Sequence, residues 1–196
     1  MQIYFYFMVE MKQIPANATC VYDGAIFKVY QRPQLMFDGT TKTFECVERQ
    51  DTAFVLPVQD NQVLLVYQRQ PQKPDRYRDF VGGRVHRGGD PLEGAQRELR
   101  EEAGMQSSDL TLRRFYDLGG GSVKWNWHFY ITREFVQVWP PELDPGGEDI
   151  QLKRVSKERF AQMLLSDELK AIGLSREFLQ CTLAGKEEDF LWEIFG

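Results

Sequence analysis

Three glutamates and an arginine near the middle of the chain have residue types and a spacing that could support chemistry. Glu98, Glu101 and Glu102 follow Arg97 within a segment predicted to be helical, and at about 100° per residue they form one stripe. Like charges at this spacing repel each other, and the last turns of a helix disfavour anions. A divalent cation such as Mg²⁺ relieves both penalties because it prefers carboxylate oxygens, so the stripe predicts a metal site. A solvated acidic face with an Arg97–Glu101 ion pair is the alternative interpretation.

The helix that carries these residues has a start signal and a stop signal. Asp90 is a good N-cap, Pro91 suits the first helical position and Glu93 completes a capping-box pattern. Gly104 stands where a helix ends. The sequence therefore predicts a helix over residues 91–103. Its apolar side chains share one face that packs on a sheet, namely Leu92, Ala95, Leu99 and Ala103.

The residues around the stripe resemble the Nudix box, G-x5-E-x7-R-E-U-x-E-E-x-G-U, in which U is aliphatic. Eight positions match in register, namely Gly83, Arg97, Glu98, Leu99, Glu101, Glu102, Gly104 and Met105. The early Glu of the box, which in the family helps to hold the motif's arginine and loop, is replaced by Gly89. The resemblance implies an α+β fold, an α/β/α Nudix sandwich with a mixed β-sheet.

The resemblance extends more loosely to the ADP-ribose pyrophosphatase-like branch of this family, which has an N-terminal β unit. Strand patterns and an Asp38-Gly39 turn within residues 19–48 fit that unit. Three parts are therefore expected: an extension over 1–18, a small antiparallel β unit over 19–48 and a Nudix domain over 49–196. Because the unit typically helps to build the partner's active site in that branch, the resemblance implies a homodimer.

Hydrophobic patterning outlines the rest of the main domain. Apolar strands are predicted at 53–58 and 63–67 around a turn at Asp60-Asn61. Pro71 and Pro74 predict a loop after the second of these strands. Further strands are expected at 110–118, 127–132 and 150–155, with helices from 156 onward and within 167–183.

The resemblance also assigns a metal site. It implies that Mg²⁺, with Mn²⁺ as a substitute, is held by Glu98, Glu101, Glu102 and the backbone carbonyl of Gly82. Arg97 would orient Glu98 without touching the substrate.

Most of the remaining site residues also come from the resemblance. Glu148, on a glycine-rich loop before the last strand, matches the position of a general base, and Glu101 is the second candidate for that role. A plain acidic turn is the alternative interpretation of the loop. Arg69 and Asp79 are the implied substrate contacts. Trp125 lies on or near a loop where its ring could stack on a base, and a place in the core or in a dimer interface is the alternative.

These assignments imply a Mg²⁺-dependent hydrolase that cleaves the pyrophosphate bond of a nucleoside diphosphate derivative, with ADP-ribose or a related nucleotide sugar as substrate. A Nudix enzyme of other specificity, acting on GDP-mannose, NADH or a nucleoside triphosphate, remains open. A third hypothesis is a catalytically weak domain that binds a nucleotide as a sensor. Gly89 is the only feature that supports this third hypothesis.

Composition sets the outer limits. The chain has 196 residues, 42% of them hydrophobic, and a net charge of −5, which predicts one soluble domain with a small appendage. The acidic balance argues against a nucleic-acid partner. The apolar start at residues 1–9 is too short to span a membrane and lacks the basic region of a signal peptide. Three widely spaced cysteines predict reduced thiols in a cytoplasmic protein.

Overall fold

The computed structural model describes residues 14–119, 122–138, 140–141, 149–166, 168–169 and 171–196. The strands within these ranges are β1 (Thr19–Asp23), β2 (Phe27–Leu35), β3 (Thr41–Arg49), β4 (Thr52–Gln59), β5 (Gln62–Gln70), β6 (Lys73–Asp79), β7 (Val81–Arg84), β8 (Met105–Ser107), β9 (Thr111–Asp117), β10 (Val123–Lys124), β11 (Asn126–Thr132), β12 (Phe135–Gln137) and β13 (Asp149–Ser156). The helices are α1 (Pro91–Ala103), α2 (Lys157–Leu165), α3 (Ile172–Leu183) and α4 (Glu187–Phe195).

The N-terminal sheet has the strand order β1-β2-β3-β10. Strands β2 and β3 form a long antiparallel hairpin, and Gly39 takes a positive φ of 81° in its turn, a conformation that glycine adopts without strain. The short strand β10 pairs in parallel with the end of β3. A strand from the second half of the sequence therefore completes the sheet of the predicted β unit.

The main sheet has the strand order β13-β5-β4-β11-β9, with β6 added to β5 and β7 added to β4. Strands β4 and β11 run parallel, whereas β4 is antiparallel to β5 and β7. The sheet is therefore mixed, as expected for the predicted α+β class.

Two hydrophobic cores lie on the two faces of this sheet because successive strand residues point to opposite sides. On β4, Ala53 and Val55 pack in a core with α1, while Phe54 and Leu56 pack in a core with α2, α3 and α4. One helix on one face and three on the other confirm the predicted α/β/α sandwich.

The structure corrects part of the predicted loop, because Pro71 lies in a turn but Pro74 lies within strand β6. Among the named strands, β6 pairs only with β5. Edge strands tolerate proline, so Pro74 does not exclude a strand at this place.

Helix α4 lies beyond the last predicted element. Its residues Phe190, Leu191 and Ile194 are buried in the larger core. No helix in the described part of the chain is long and apolar enough to cross a bilayer. The three cysteines are unpaired, and Cys20 is exposed.

Candidate active site

Helix α1 has the bounds that the sequence predicts. The side chain of Asp90 accepts a hydrogen bond from the backbone N–H of Leu92, at 3.0 Å, and satisfies one of the first donors of the helix. At the other end, Gly104 takes the left-handed conformation (φ 63°) and its N–H bonds to the carbonyl of Arg100. These caps set the ends of the helix, and the packing of Ala95 and Leu99 in the smaller core sets the direction of its charged stripe.

Arg97 joins two of the glutamates. Its Nη2 donates to Glu98 Oε1 at 2.7 Å and to the backbone carbonyl of Arg84 at 2.7 Å, while its Nη1 donates to Glu101 Oε2 at 2.9 Å. Glu98 is buried, at 9% relative exposure. The contact on which the predicted orienting role of Arg97 depends is therefore present, and one guanidinium compensates two carboxylates.

Two glycines of β7 lie beside the buried carboxylates. The N–H of Gly82 donates to Glu102 Oε2 at 2.8 Å, and Glu102 is 6% exposed. Gly82 has a φ of +152°, and a Cβ there would clash with the carbonyl oxygen of Ala53. A Cβ on Gly83 would lie 2.5 Å from Glu98 Oε1. Gly83 therefore leaves the space that Glu98 occupies, whereas Gly82 permits the close approach of β4.

The chemistry of this group suits a hard divalent cation. Within the described ranges, no three acidic, histidine or cysteine side chains converge closely enough to hold a metal by themselves. Mg²⁺ needs no such cage, because it is usually bound by one or two carboxylates together with water and substrate phosphates. Glu98 and Glu102 are buried oxygen donors beside the Gly82 backbone, so the donor set fits Mg²⁺ or Mn²⁺.

The loop before α1 has Gly89 at the position of the early Glu of the box. Gly88 has a φ of 72°, and Gly89 donates its N–H to the carbonyl of His86 at 2.9 Å, which closes a tight turn. Arg97 is instead held by the carbonyl of Arg84. The Arg84 carbonyl oxygen is thus one contact of Arg97 in a chain that lacks the early Glu of the box.

A cleft of about 330 Å³ opens between this loop and the N-terminal sheet. That volume is within the range of small-molecule pockets. Its charged lining residues are Lys28, Glu48, Arg49, Asp51, Arg87 and Lys124. Most of these charges have partners, for example Lys124 with Glu48 at 2.6 Å and Lys28 with Asp23 at 2.7 Å.

Arg49 differs from the other cations of the cleft. Its guanidinium stacks on the ring of Trp125 at 4.0 Å, and its buried Nε has no hydrogen-bond partner among the described residues. Burial and the nearby charge of Arg84 lower its pKa. The sequence alone does not single out Arg49. What distinguishes this residue is its stacking on Trp125, and that contact depends on the tertiary packing.

Asp51 lines the cleft and connects the segments around it. It accepts hydrogen bonds from the backbone and side chain of Asn126 and lies 3.2 Å from His128 Nε2. Burial raises the pKa of its carboxyl, but the hydrogen bonds from His128 and Asn126 outweigh that effect and leave the pKa below its usual value. The backbone of Asp51 also accepts from Val85 N, so it links the loop before α1 to β11.

The other predicted site residues have partners of their own. Arg69 forms an ion pair with Asp149 at 2.8 Å, and Asp79 accepts from the N–H of Phe80. Trp125 donates from Nε1 to Thr52 and packs edge-on against Trp127, so it is partly committed to the core. The predicted general base Glu148 lies outside the described residues.

Comparison with known proteins places this arrangement in context. The model of the NUDIX domain family matches residues 48–173, which is well over half of the chain. The fold is similar to that of a protein whose crystal structure is described as an ADP compounds hydrolase, with a TM-score of 0.62 and 18% sequence identity over 77% of this chain and 81% of that one. Among curated proteins, none matches the sequence at a significant level.

Proposed function

This chain belongs to the NUDIX family of hydrolases acting on pyrophosphate bonds, and on that premise we propose that it cleaves ADP-ribose or a related nucleotide sugar with the help of Mg²⁺. The observation that carries the proposal is the pair of buried carboxylates, Glu98 and Glu102, set against the β7 glycines. Burying two carboxylates costs free energy unless donors or a cation compensate them.

The chemistry divides between the bound cation and the residues of the chain. Mg²⁺, when bound, supplies charge neutralisation for the diphosphate and acidifies the attacking water. Glu98 and Glu102 would hold the cation, and Arg97 keeps Glu98 in place through the 2.7 Å hydrogen bond. Water attacks one phosphorus, the bond to the bridging oxygen breaks, and two phosphomonoesters leave.

A proton must also be removed from the attacking water. We infer that Glu148 accepts it, with Glu101 as the second candidate. Glu101 Oε2 is already engaged by Arg97 Nη1 at 2.9 Å, so this oxygen is less available to contact the attacking water.

The cleft beside Arg49 suits the nucleotide part of the substrate. An arginine that has no carboxylate partner among the described residues is ready to pair with a phosphate, and its stacking on Trp125 holds the guanidinium plane in place. The Arg49 side chain therefore joins Arg69, Asp79 and Trp125 as a proposed substrate contact. Arg84, which is exposed and near enough to lower the pKa of Arg49, adds positive charge there.

The N-terminal sheet supports the proposed homodimer. Large hydrophobic side chains of this sheet and of its connecting turns are exposed, namely Val21, Tyr22, Ile26, Phe27, Leu35, Phe37 and Phe44. Large exposed apolar side chains concentrated in one small unit indicate a surface that another molecule covers. We propose that a second copy of the chain covers them.

A screen of substrates tests the proposed function. Phosphomonoester release, detected with a coupled phosphatase, would be measured with Mg²⁺ for ADP-ribose, GDP-mannose, NADH and nucleoside triphosphates. We expect ADP-ribose or a related nucleotide sugar to have the highest kcat/KM. Highest activity on a triphosphate would redirect the assignment to another Nudix specificity, and binding without turnover of any compound would favour the sensor hypothesis.

A further inference from the structure

Two arginines from neighbouring strands meet one carboxylate at the end of the main sheet. Arg69 Nε on β5 lies 2.8 Å from Asp149 Oδ2, and Arg76 Nη2 on β6 lies 2.5 Å from the same oxygen. Asp149 is the first residue of β13, which is antiparallel to β5. The group therefore contains two positive charges and one negative charge, within a chain whose overall charge is −5.

The position of Arg76 is fixed by more than the ion pair. Its Nη1 donates to the backbone carbonyl of Tyr67, and its guanidinium lies 5.6 Å from the centre of the Tyr67 ring. Its side chain is only 25% exposed, whereas those of Arg69 and Asp149 are 56% and 41% exposed. One arginine is thus preorganised and the other is accessible, so an incoming anion can bind both without a large loss of side-chain entropy.

This group lies on the strand that leads into the glutamate site. Strand β6 ends at Asp79 and is followed closely by Gly82, whose N–H contacts Glu102. Arg76 and Gly82 are six positions apart in the sequence, which is at most about 20 Å of extended chain. An extended dinucleotide spans a comparable length, so one substrate molecule can reach both places.

We propose that Arg69 and Arg76 form a subsite for a phosphomonoester that the substrate carries in addition to its scissile diphosphate. The inference rests on the proposed function, because it concerns another part of the same substrate. A phosphomonoester presents several oxygens to two guanidinium groups, which are the preferred side chains for such recognition. Asp149 holds the two arginines together and gives up part of its contact when the phosphate binds.

Matched substrates test this subsite. The kcat/KM of ADP-ribose would be compared with that of ADP-ribose 2′-phosphate. The two substrates differ only by a phosphomonoester on the nucleoside. We expect ADP-ribose 2′-phosphate to be favoured about tenfold, which one charge-assisted hydrogen-bonded contact provides.

Two variants locate the preference. Arg76→Gln should reduce the ratio of the two kcat/KM values to near 1. Arg78→Gln is the matched control, because Arg78 is on the same strand and also lies 5.6 Å from the centre of the Tyr67 ring, but pairs with Glu168. The control should keep the preference of the unmodified enzyme.

Substitution of Asp149 distinguishes a phosphate subsite from an ion pair that only stabilises the fold. Asp149→Asn removes the charge that competes with the phosphate, so it should increase the preference for ADP-ribose 2′-phosphate. Equal kcat/KM for ADP-ribose and ADP-ribose 2′-phosphate, or a preference that survives Arg76→Gln, would overturn the inference. Either result can be obtained while ADP-ribose is still hydrolysed, so it leaves the proposed function intact.

Discussion

At the scale of single residues, the site is organised by compensation of charge. Arg97 neutralises part of the acidic stripe, and the Gly82 N–H contacts Glu102. Sequence spacing predicts the stripe because i, i+3 and i+4 positions share a helix face. It does not predict that the Arg84 carbonyl anchors Arg97, because that contact depends on how the loop before α1 closes.

Arg49 is the residue whose substitution best separates binding from folding. Arg49→Gln should raise KM for the nucleotide substrate by about tenfold, since one charge-assisted contact is lost. The same change should leave the free energy of unfolding equal or higher, because a half-buried guanidinium without a carboxylate partner among the described residues is relieved of its desolvation cost. Steady-state kinetics and thermal unfolding measure the two quantities.

A nearby arginine is the control for this prediction. Arg32 is on the adjacent strand β2 and bonds to the side chain of Gln34, away from the cleft. Arg32→Gln should leave KM unchanged. A lower stability of Arg49→Gln with an unaltered KM would show that Arg49 is a structural residue.

At the scale of elements, patterning predicts those segments whose signals are local. Caps and periodicity give α1 residue by residue, and apolar runs give β4 and β5. Strand β6 escapes prediction because its ladder depends on β5, a tertiary partner that outweighs the local signal of two prolines. The cleft escapes prediction for the same reason, since it lies between elements far apart in the sequence.

The junction between β3 and β4 should respond to acid through Asp51. The folded-state pKa of this carboxyl is depressed, so its stabilising contribution is present above the ordinary carboxyl pKa and is lost as pH falls through the folded value. Asp51→Asn should therefore lower the free energy of unfolding by about 1–3 kcal/mol at neutral pH, with the difference shrinking below about pH 4. Chemical denaturation at several pH values measures it, and a difference that is constant with pH would contradict the account.

At the scale of the whole molecule, the helix that carries the candidate site and the three other helices lie on opposite faces of the main sheet. The larger core joins α2, α3 and α4 to one sheet face, while the smaller core holds α1 on the other. The proposed chemical face lies on one capped helix and the adjacent glycines of β7, and the overall charge says little about it. Net charge predicts a soluble acidic chain, but the glutamates proposed to hold the cation are a small part of the 29 acidic residues.

Association of two copies is a property of the whole molecule that light scattering can test. Phe44 is 40% exposed on β3, and Phe44→Asp would place a charge in the proposed interface. We expect a dimer at micromolar concentration for the unmodified chain and a monomer for the variant. Trp192→Asp, on the exposed face of α4, should remain dimeric, and a monomeric unmodified chain would contradict the proposal.

The central claim is that buried glutamates of α1 hold the cation for pyrophosphate cleavage. Its most direct test is the Mg²⁺-dependent kcat of Glu102→Gln against that of Glu93→Gln, a control in the first turn of the same helix. Loss of a metal ligand should reduce kcat at least about 100-fold, while the control should stay within about twofold. Equal kcat values for the two variants, with both folded, would contradict the account.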